Sequence, residues 1–321
     1  MSAVEPAITS LVPFRVPLRL MFRGVTERTG VLLRGPAGWG EFSPFPDYGP
    51  DYAAVWLAAA REAATEGFPA PRRDRVPVNT TVPAVDPATA FDLVARSGCT
   101  TAKVKVAQSG QALADDVERV AAVRDALGPT GRIRVDANGA WDVESAVLAI
   151  TRLAVHDLEY VEQPCASLPE LREVRRRVPV PIAADESIRT AADPVAAARS
   201  DAVDVLVLKV QPLGGVRRAL EVADAAGVPV VVSSALETSI GLAAGVAFAA
   251  ALPELPFACG LGTGTLLQSD LVLAPLLPEH GWLPLRRPEP DRALLDQHTP
   301  DPDTAMGLLD RLAAADRAGR T

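Results

Sequence analysis

Short runs of apolar, β-rich residues recur along most of this chain, and that recurrence limits its fold more than any other feature. From about Val76 onward the runs are VPVNTTV, AKVKVA, RIRVDA, LEYVEQ, VPIAADE, VDVLVLKV, VPVVVSSA and PFACGLG. They follow one another at intervals of roughly 20–30 residues, the spacing of a strand–helix unit. Between most of them lie amphipathic stretches such as DDVERVAAVRDALG, SAVLAITRLAV and GVRRALEVADAAG. Alternation of this kind implies parallel pairing, because each return crossing needs a dozen or more residues. Eight such units predict a closed (β/α) barrel, an α/β fold of the modified TIM type. A doubly wound open sheet is the competing arrangement, but it carries an early glycine-rich phosphate turn, and no GxGxxG occurs here.

The flanks read differently. VPFRVPLRL and GVLLRGPAGWGEFSP alternate apolar and polar residues between Gly and Pro breaks, which predicts antiparallel hairpins. DYAAVWLAAAREAATEG predicts one helix, started by Asp51 and stopped by Gly67. The Pro- and Arg-rich PAPRRDR then marks a boundary. The expected organisation is an α+β capping domain over 1–75, the barrel over 76–265, and a Pro- and Asp-rich segment over 266–321 that packs back on the cap. A length of 321 residues suits a barrel plus a smaller domain.

Charge and cysteine usage exclude several functions. The formal net charge is −8 with no basic run to track a phosphate backbone, so no nucleic-acid partner is expected. Cys99, Cys165 and Cys259 form no C-x-x-C pair, which points to a reduced, cytoplasmic setting. Pro6, Pro13 and Pro17 interrupt the start, against a signal peptide. Gly241 to Leu252 is too short to cross a membrane. The expected partner is a small molecule; the sequence sets no oligomeric state.

Barrel strands are buried on both faces and should read as unbroken apolar runs. Charged residues within them therefore need explaining. Lys103 and Lys105 lie in TAKVKVA, Asp136 ends RIRVD, Glu162 ends LEYVE, Asp185 ends PIAAD and Lys209 ends VLVLK. The acids and Lys209 fall at the C-terminal strand ends, the catalytic face of such a barrel. Taken singly, Asp185 could cap the next helix and a lone Lys could snorkel at an edge. Three acids on three consecutive strands converge on one place, which separate caps do not require. Grouped carboxylates repel one another and resist desolvation, and a hard divalent cation with oxygen ligands relieves both. Asp136, Glu162 and Asp185 are therefore the expected metal site.

Lys103 and Lys105 are two residues apart on a strand and leave from the same face. At about 4 Å and an effective dielectric near 20, their repulsion approaches about 4 kcal/mol. Lys103 and a metal ion would then depress Lys105 toward the range of a useful base. Lys209, four strands round the barrel, should face Lys105 across the site.

These residues together resemble the enolase superfamily and, within it, the muconate-lactonising subgroup. The resemblance rests on KVK at 103–105, VDAN at 135–138, VEQP at 161–164, DES at 185–187 and LK at 208–209, and it spans nearly the whole chain. It implies Mg²⁺, with Mn²⁺ as the alternative, held by Asp136, Glu162 and Asp185 against a substrate carboxylate. It also implies Lys105 as the base that removes the adjacent proton, with Lys209 on the opposite face. FRGVTERTGVLLRG with GWGEFSP, VVVSSALETSIG and CGLGTGTLL are similar to the compact branch of menaquinone biosynthesis, which dehydrates a hydroxycyclohexadiene carboxylate to an aromatic acid. On that likeness Arg134, Ser233, Ser234 and Gly260 are expected to contact substrate, with an ion pair inside the barrel as the other reading of Arg134. Asn138 is expected to orient a ligand or a water, and Glu237 either serves the site or caps a helix.

Two rival chemistries share this constellation: racemisation of N-succinylamino acids and epimerisation of dipeptides. The second uses acids at the end of the eighth strand, where this chain reads Gly260-Leu261-Gly262. A barrel that binds a ligand without turnover is a further alternative, and it predicts the loss of a lysine or an acid from the set.

Overall fold

The computed structural model describes residues 8–22 and 24–320. Residues 1–7, with Pro6 of the start, and Arg23 of FRGVTERTG lie outside the described residues. Three antiparallel strands come first: β1 (Ser10–Phe22), β2 (Val25–Gly35) and β3 (Gly38–Phe42). The predicted helix follows over Pro50–Thr65, with Asp51 in its first turn and Gly49 as the residue before it. Its Trp56, Leu57, Ala60 and Ala64 pack with Phe14, Val31, Leu33 and Phe42 of the sheet in one apolar cluster.

A short strand, β4 (Arg75–Pro77), precedes the parallel sheet. The sheet runs through β5 (Thr80–Val82), β6 (Thr101–Lys105), β7 (Arg132–Asp136), β8 (Leu158–Glu162), β9 (Ile182–Ala184), β10 (Val205–Leu208) and β11 (Val230–Val232), each hydrogen-bonded to the next. The eighth run, PFACGLG, forms no continuous strand but still closes the ring. The N–H of Cys259 donates to Pro77 O at 2.7 Å, and the N–H of Gly260 donates to Val232 O at 2.8 Å. Pro256 has no N–H to give a ladder and glycine weakens one, so this stave is reduced to two bridges.

Helices cover the outside, among them Leu113–Leu127, Val143–Leu153 and Val216–Ala225. The apolar run near Gly241 is a helix over Ser239–Ala251 with every residue buried, which accounts for its lack of a polar face. No helix among the described residues is long and apolar enough to cross a membrane.

The last part of the chain pairs with β4 and packs against the N-terminal sheet. β12 (Trp282–Pro284) pairs with β4. The helix Pro302–Ala318 adds Leu312 and Ala315 to the apolar cluster of the N-terminal sheet, and its Arg311 donates to Pro44 O at 2.9 Å.

Candidate active site

Parallel register brings the charged strand ends together. Lys105 is the Cα partner of Asp136, Asp136 of Glu162, and Glu162 of Ala183, two residues before Asp185. All three acids are buried, and amines partner each of them. Lys105 Nζ lies 2.6 Å from Asp136 Oδ2, and Lys103 Nζ lies 3.2 Å from the same oxygen. Lys103 also donates to Glu162 Oε1 at 3.0 Å. Lys209 Nζ donates to Asp185 Oδ2 at 2.5 Å, while Arg189 Nε takes Oδ1 at 3.0 Å.

The three carboxylates are each held by an amine, and among the described residues no group of three or more acidic, His or Cys side chains is drawn together around one point. A buried carboxylate takes the nearest cation, and here that is the ammonium on a neighbouring strand. Asp185 occupies the N-cap position of the helix Glu186–Arg189, but its side chain makes no cap hydrogen bond there.

The ionisation balance follows from these contacts. Burial works against ionised Asp136, yet Lys105 and Lys103 hold it well below the usual carboxylate range. Asp185 is likewise held down, against burial, by Lys209 and Arg189. Burial and Asp136 raise Glu162 while Lys103 opposes them. Burial also opposes charge on Lys103, but Glu162 and Asp136 outweigh it and keep its ammonium well above the lysine range. Lys105 moves the other way: burial lowers it, Asp136 resists and Lys103 adds to the lowering. That direction is the one a base requires.

A cavity of about 30 Å³ opens among these groups, lined by Lys103, Lys105, Lys209, Asn138, Ser233, Ser234 and Gly260. The bridge between Ser233 and Gly260 forms part of its wall. A Cβ on Gly260 would sit 2.5 Å from Ser233 Oγ, so a larger residue there would push the Ser233 hydroxyl aside. Asn138 serves Lys105: its Oδ1 accepts from Lys105 Nζ at 2.7 Å and its Nδ2 donates to Glu186 Oε1 at 3.1 Å. Arg134 does not line the cavity. It is fully buried in the barrel interior, where Nε meets Glu159 at 2.5 Å and the guanidinium lies 4.8 Å from the Tyr160 ring centre. Glu159 gives it an ion pair, while its Nη2 is buried without a hydrogen-bond partner. Glu237 caps no helix either, since Thr238 does that; both of its oxygens accept from the N–H of Ala235 at 2.9 Å.

Several lining residues had no signal in the sequence. Phe22 and Phe45 come from the N-terminal sheet region, and Thr81, Leu236 and Thr263 from the barrel. Thr81 was the most findable, as the inward polar residue of the first barrel strand. Lys105 Nζ lies 5.5 Å from the Phe22 ring centre. Beyond Phe22, Lys105 and Asn138 a second space of about 290 Å³ runs out past Met21, Pro83 and Ser109.

Two family models match this chain: "Enolase C-terminal domain-like" over residues 87–290 and "Enolase N-terminal domain-like" over residues 13–64. The chain belongs to the enolase superfamily. Among curated relatives, the o-succinylbenzoate synthase of Thermobifida fusca (strain YX) is 63% identical over 302 residues, covering 94% of each chain. That of Mycobacterium tuberculosis (strain ATCC 25618 / H37Rv) is 52% identical over 313 residues, covering 97% of this chain and 95% of the relative. The muconate lactonizing enzyme from Pseudomonas putida shares the fold with a TM-score of 0.76 at 21% identity, covering 91% of this chain and 99% of that one. The enolase-superfamily barrel thus carries all six charged strand residues at one mouth, beneath a cap of N-terminal strands.

Proposed function

We propose that this chain is an o-succinylbenzoate synthase, removing water from 2-succinyl-6-hydroxy-2,4-cyclohexadiene-1-carboxylate. One observation carries the reading: Lys105 and Lys209 border the same small cavity from strands four apart, with three buried carboxylates between them. The 63% identical relative supports the particular reaction. The Gly260-Leu261-Gly262 bridge has no carboxylate to hold a substrate ammonium, which weighs against dipeptide epimerisation.

The donor set suits a hard cation, since Asp136, Glu162 and Asp185 present only carboxylate oxygens and Glu186 Oε2 is buried without a hydrogen-bond partner. When bound there, Mg²⁺ or Mn²⁺ supplies positive charge for the carboxylate next to the departing proton. The formal charges are consistent with such a load. Asp136, Glu162, Asp185 and Glu186 face Lys103, Lys105, Lys209 and Arg189, so a divalent cation entering with a dicarboxylate substrate adds no net charge to the site.

The residues then divide the work. Neutral Lys105, oriented by Asn138 Oδ1 and Asp136, takes the proton from the carbon bearing the ring carboxylate. The ammonium of Lys209, tied to Asp185, offers fixed positive charge to the electron pair left behind. The carbon–oxygen bond of the hydroxyl breaks, and Lys105 returns its proton to that oxygen so that water leaves. Aromatisation makes the step downhill. The ring and succinyl group need roughly several hundred Å³, more than the cavity of about 30 Å³ offers alone and comparable with that cavity together with the space of about 290 Å³ beyond Phe22.

Incubation with this substrate and Mg²⁺ should produce the ultraviolet absorption of o-succinylbenzoate; no product would defeat the assignment. Racemisation of N-succinylamino acids would use the same two lysines. In D₂O it would show as α-deuterium exchange, and exchange as fast as dehydration would make the assignment incomplete.

A further inference from the structure

Arg28 of β2 is buried behind the cavity and is not one of its lining residues, yet it grips two that are. Its Nε donates to Leu236 O at 3.0 Å, and its guanidinium carbon lies 4.3 Å from the ring centre of Phe45. An Nη2–H donates to the carbonyl of Ser43, two residues before Phe45. Leu236 and Phe45 face the cavity from opposite parents, one from the loop after β11 and the other from the N-terminal sheet region.

That loop needs an outside hold. Leu236 has φ +65°, a left-handed conformation that a residue with a branched side chain seldom adopts unaided. Glu237 closes the turn from within by accepting from Ala235 N–H. Glu41 of β3 secures the far side, accepting from Thr238 Oγ1 at 2.5 Å and from Gly241 N–H at 3.0 Å. The wall that presents Ser233 and Ser234 is thus anchored from the cap at Leu236 by Arg28 and at Thr238 by Glu41.

We propose that Arg28 is a specificity-positioning residue, which sets the width of the substrate pocket by clamping Leu236 of the barrel loop to Phe45 of the cap. The inference rests on the synthase reading, whose ring-and-succinyl substrate must fit between those two side chains. Lysine cannot reproduce the clamp: one ammonium cannot lie flat over an aromatic face while bonding two carbonyls. Because Arg28 stands behind the wall and not at the proton-transfer groups, its loss should fall on binding more than on turnover.

The test compares wild type with R28K, F45L and the R28K/F45L double variant, measuring KM, kcat and o-succinylbenzoate binding by calorimetry. R28K retains a cation near Glu41 and Glu237, and its melting transition reports folding. KM should rise about tenfold with kcat within about twofold, and product binding should weaken in parallel. The double variant should cost no more than the worse single, since both act on one clamp. If R28K does not fold, R28M/E41Q removes the cation together with a facing carboxylate and should show the same rise in KM. A folded variant with unchanged KM, or fully additive effects of R28K and F45L, overturns the inference while the function stands. Wild-type protein that makes no o-succinylbenzoate overturns the function itself, and this inference with it.

Discussion

Lys105 Nζ is held between Asp136 Oδ2 at 2.6 Å and Asn138 Oδ1 at 2.7 Å. Both acceptors come from β7 and the turn after it, so one strand end aims the amine of its neighbour. Asn138 reaches this position with φ +48°, a conformation asparagine tolerates better than most residues. Lys105→Ala should therefore remove the base without disturbing the barrel. We expect kcat to fall by at least about a thousandfold with an unchanged circular dichroism spectrum. Turnover within about tenfold of wild type would rule Lys105 out as the base.

Lys209→Ala should leave Asp185 ionised beside Arg189, whose Nε holds the other carboxylate oxygen. The fold then survives and the loss falls on charge stabilisation. A decrease in kcat of about 10²–10³ is expected, with a much smaller change in KM. A KM effect alone would make Lys209 a binding residue and not part of the chemistry.

Treatment with EDTA should abolish dehydration and added Mg²⁺ should restore it. Mg²⁺ should also raise the melting temperature, because an ion that binds the folded state stabilises it. Since each acid is ion-paired to an amine, metal uptake has to compete with those pairs and should tighten as pH rises toward the range where Lys105 loses its proton. Full activity in EDTA would contradict the metal reading.

Glu41 provides a pH signature of stability. It is buried at the junction of the cap with the loop after β11, and burial raises its carboxyl to about 7, with Thr238 and Ser43 opposing. A raised carboxyl binds its proton more tightly in the folded state. Its contribution is therefore fully present below the unfolded value and is lost as pH climbs through about 7. Over that window the loss is about 3 kcal/mol. The melting temperature of Glu41→Gln relative to wild type should rise between pH 4.5 and pH 8. A gap independent of pH would show that Glu41 does not titrate in this window.

Much of the site was legible because strands are local. A residue's place in an apolar run tells which end of the strand it occupies, and alternation puts Lys103 and Lys105 on one face, as both contacts with Asp136 bear out. The ordered series of Lys103, Lys105, Asp136, Glu162, Asp185 and Lys209 was enough to identify the superfamily. Arg134 shows what strand position leaves open. It shares the inward face with Asp136, but strand position does not tell how deep the cavity reaches, and Glu159 holds it below the mouth. The eighth stave was visible as a run, though its collapse to two bridges depended on which backbone groups Pro77 and Val232 offered.

By itself, then, the amino-acid sequence determined the barrel period, the charged strand ends and their order, since each depends on neighbours a few residues away. Only the tertiary structure decided which amine neutralises which acid, that Arg134 turns into an interior ion pair, and that Arg28 reaches 208 positions along the chain to hold Leu236. Those outcomes are set by distances between strands and loops remote in sequence, and they come into being only when the whole chain has closed around its core.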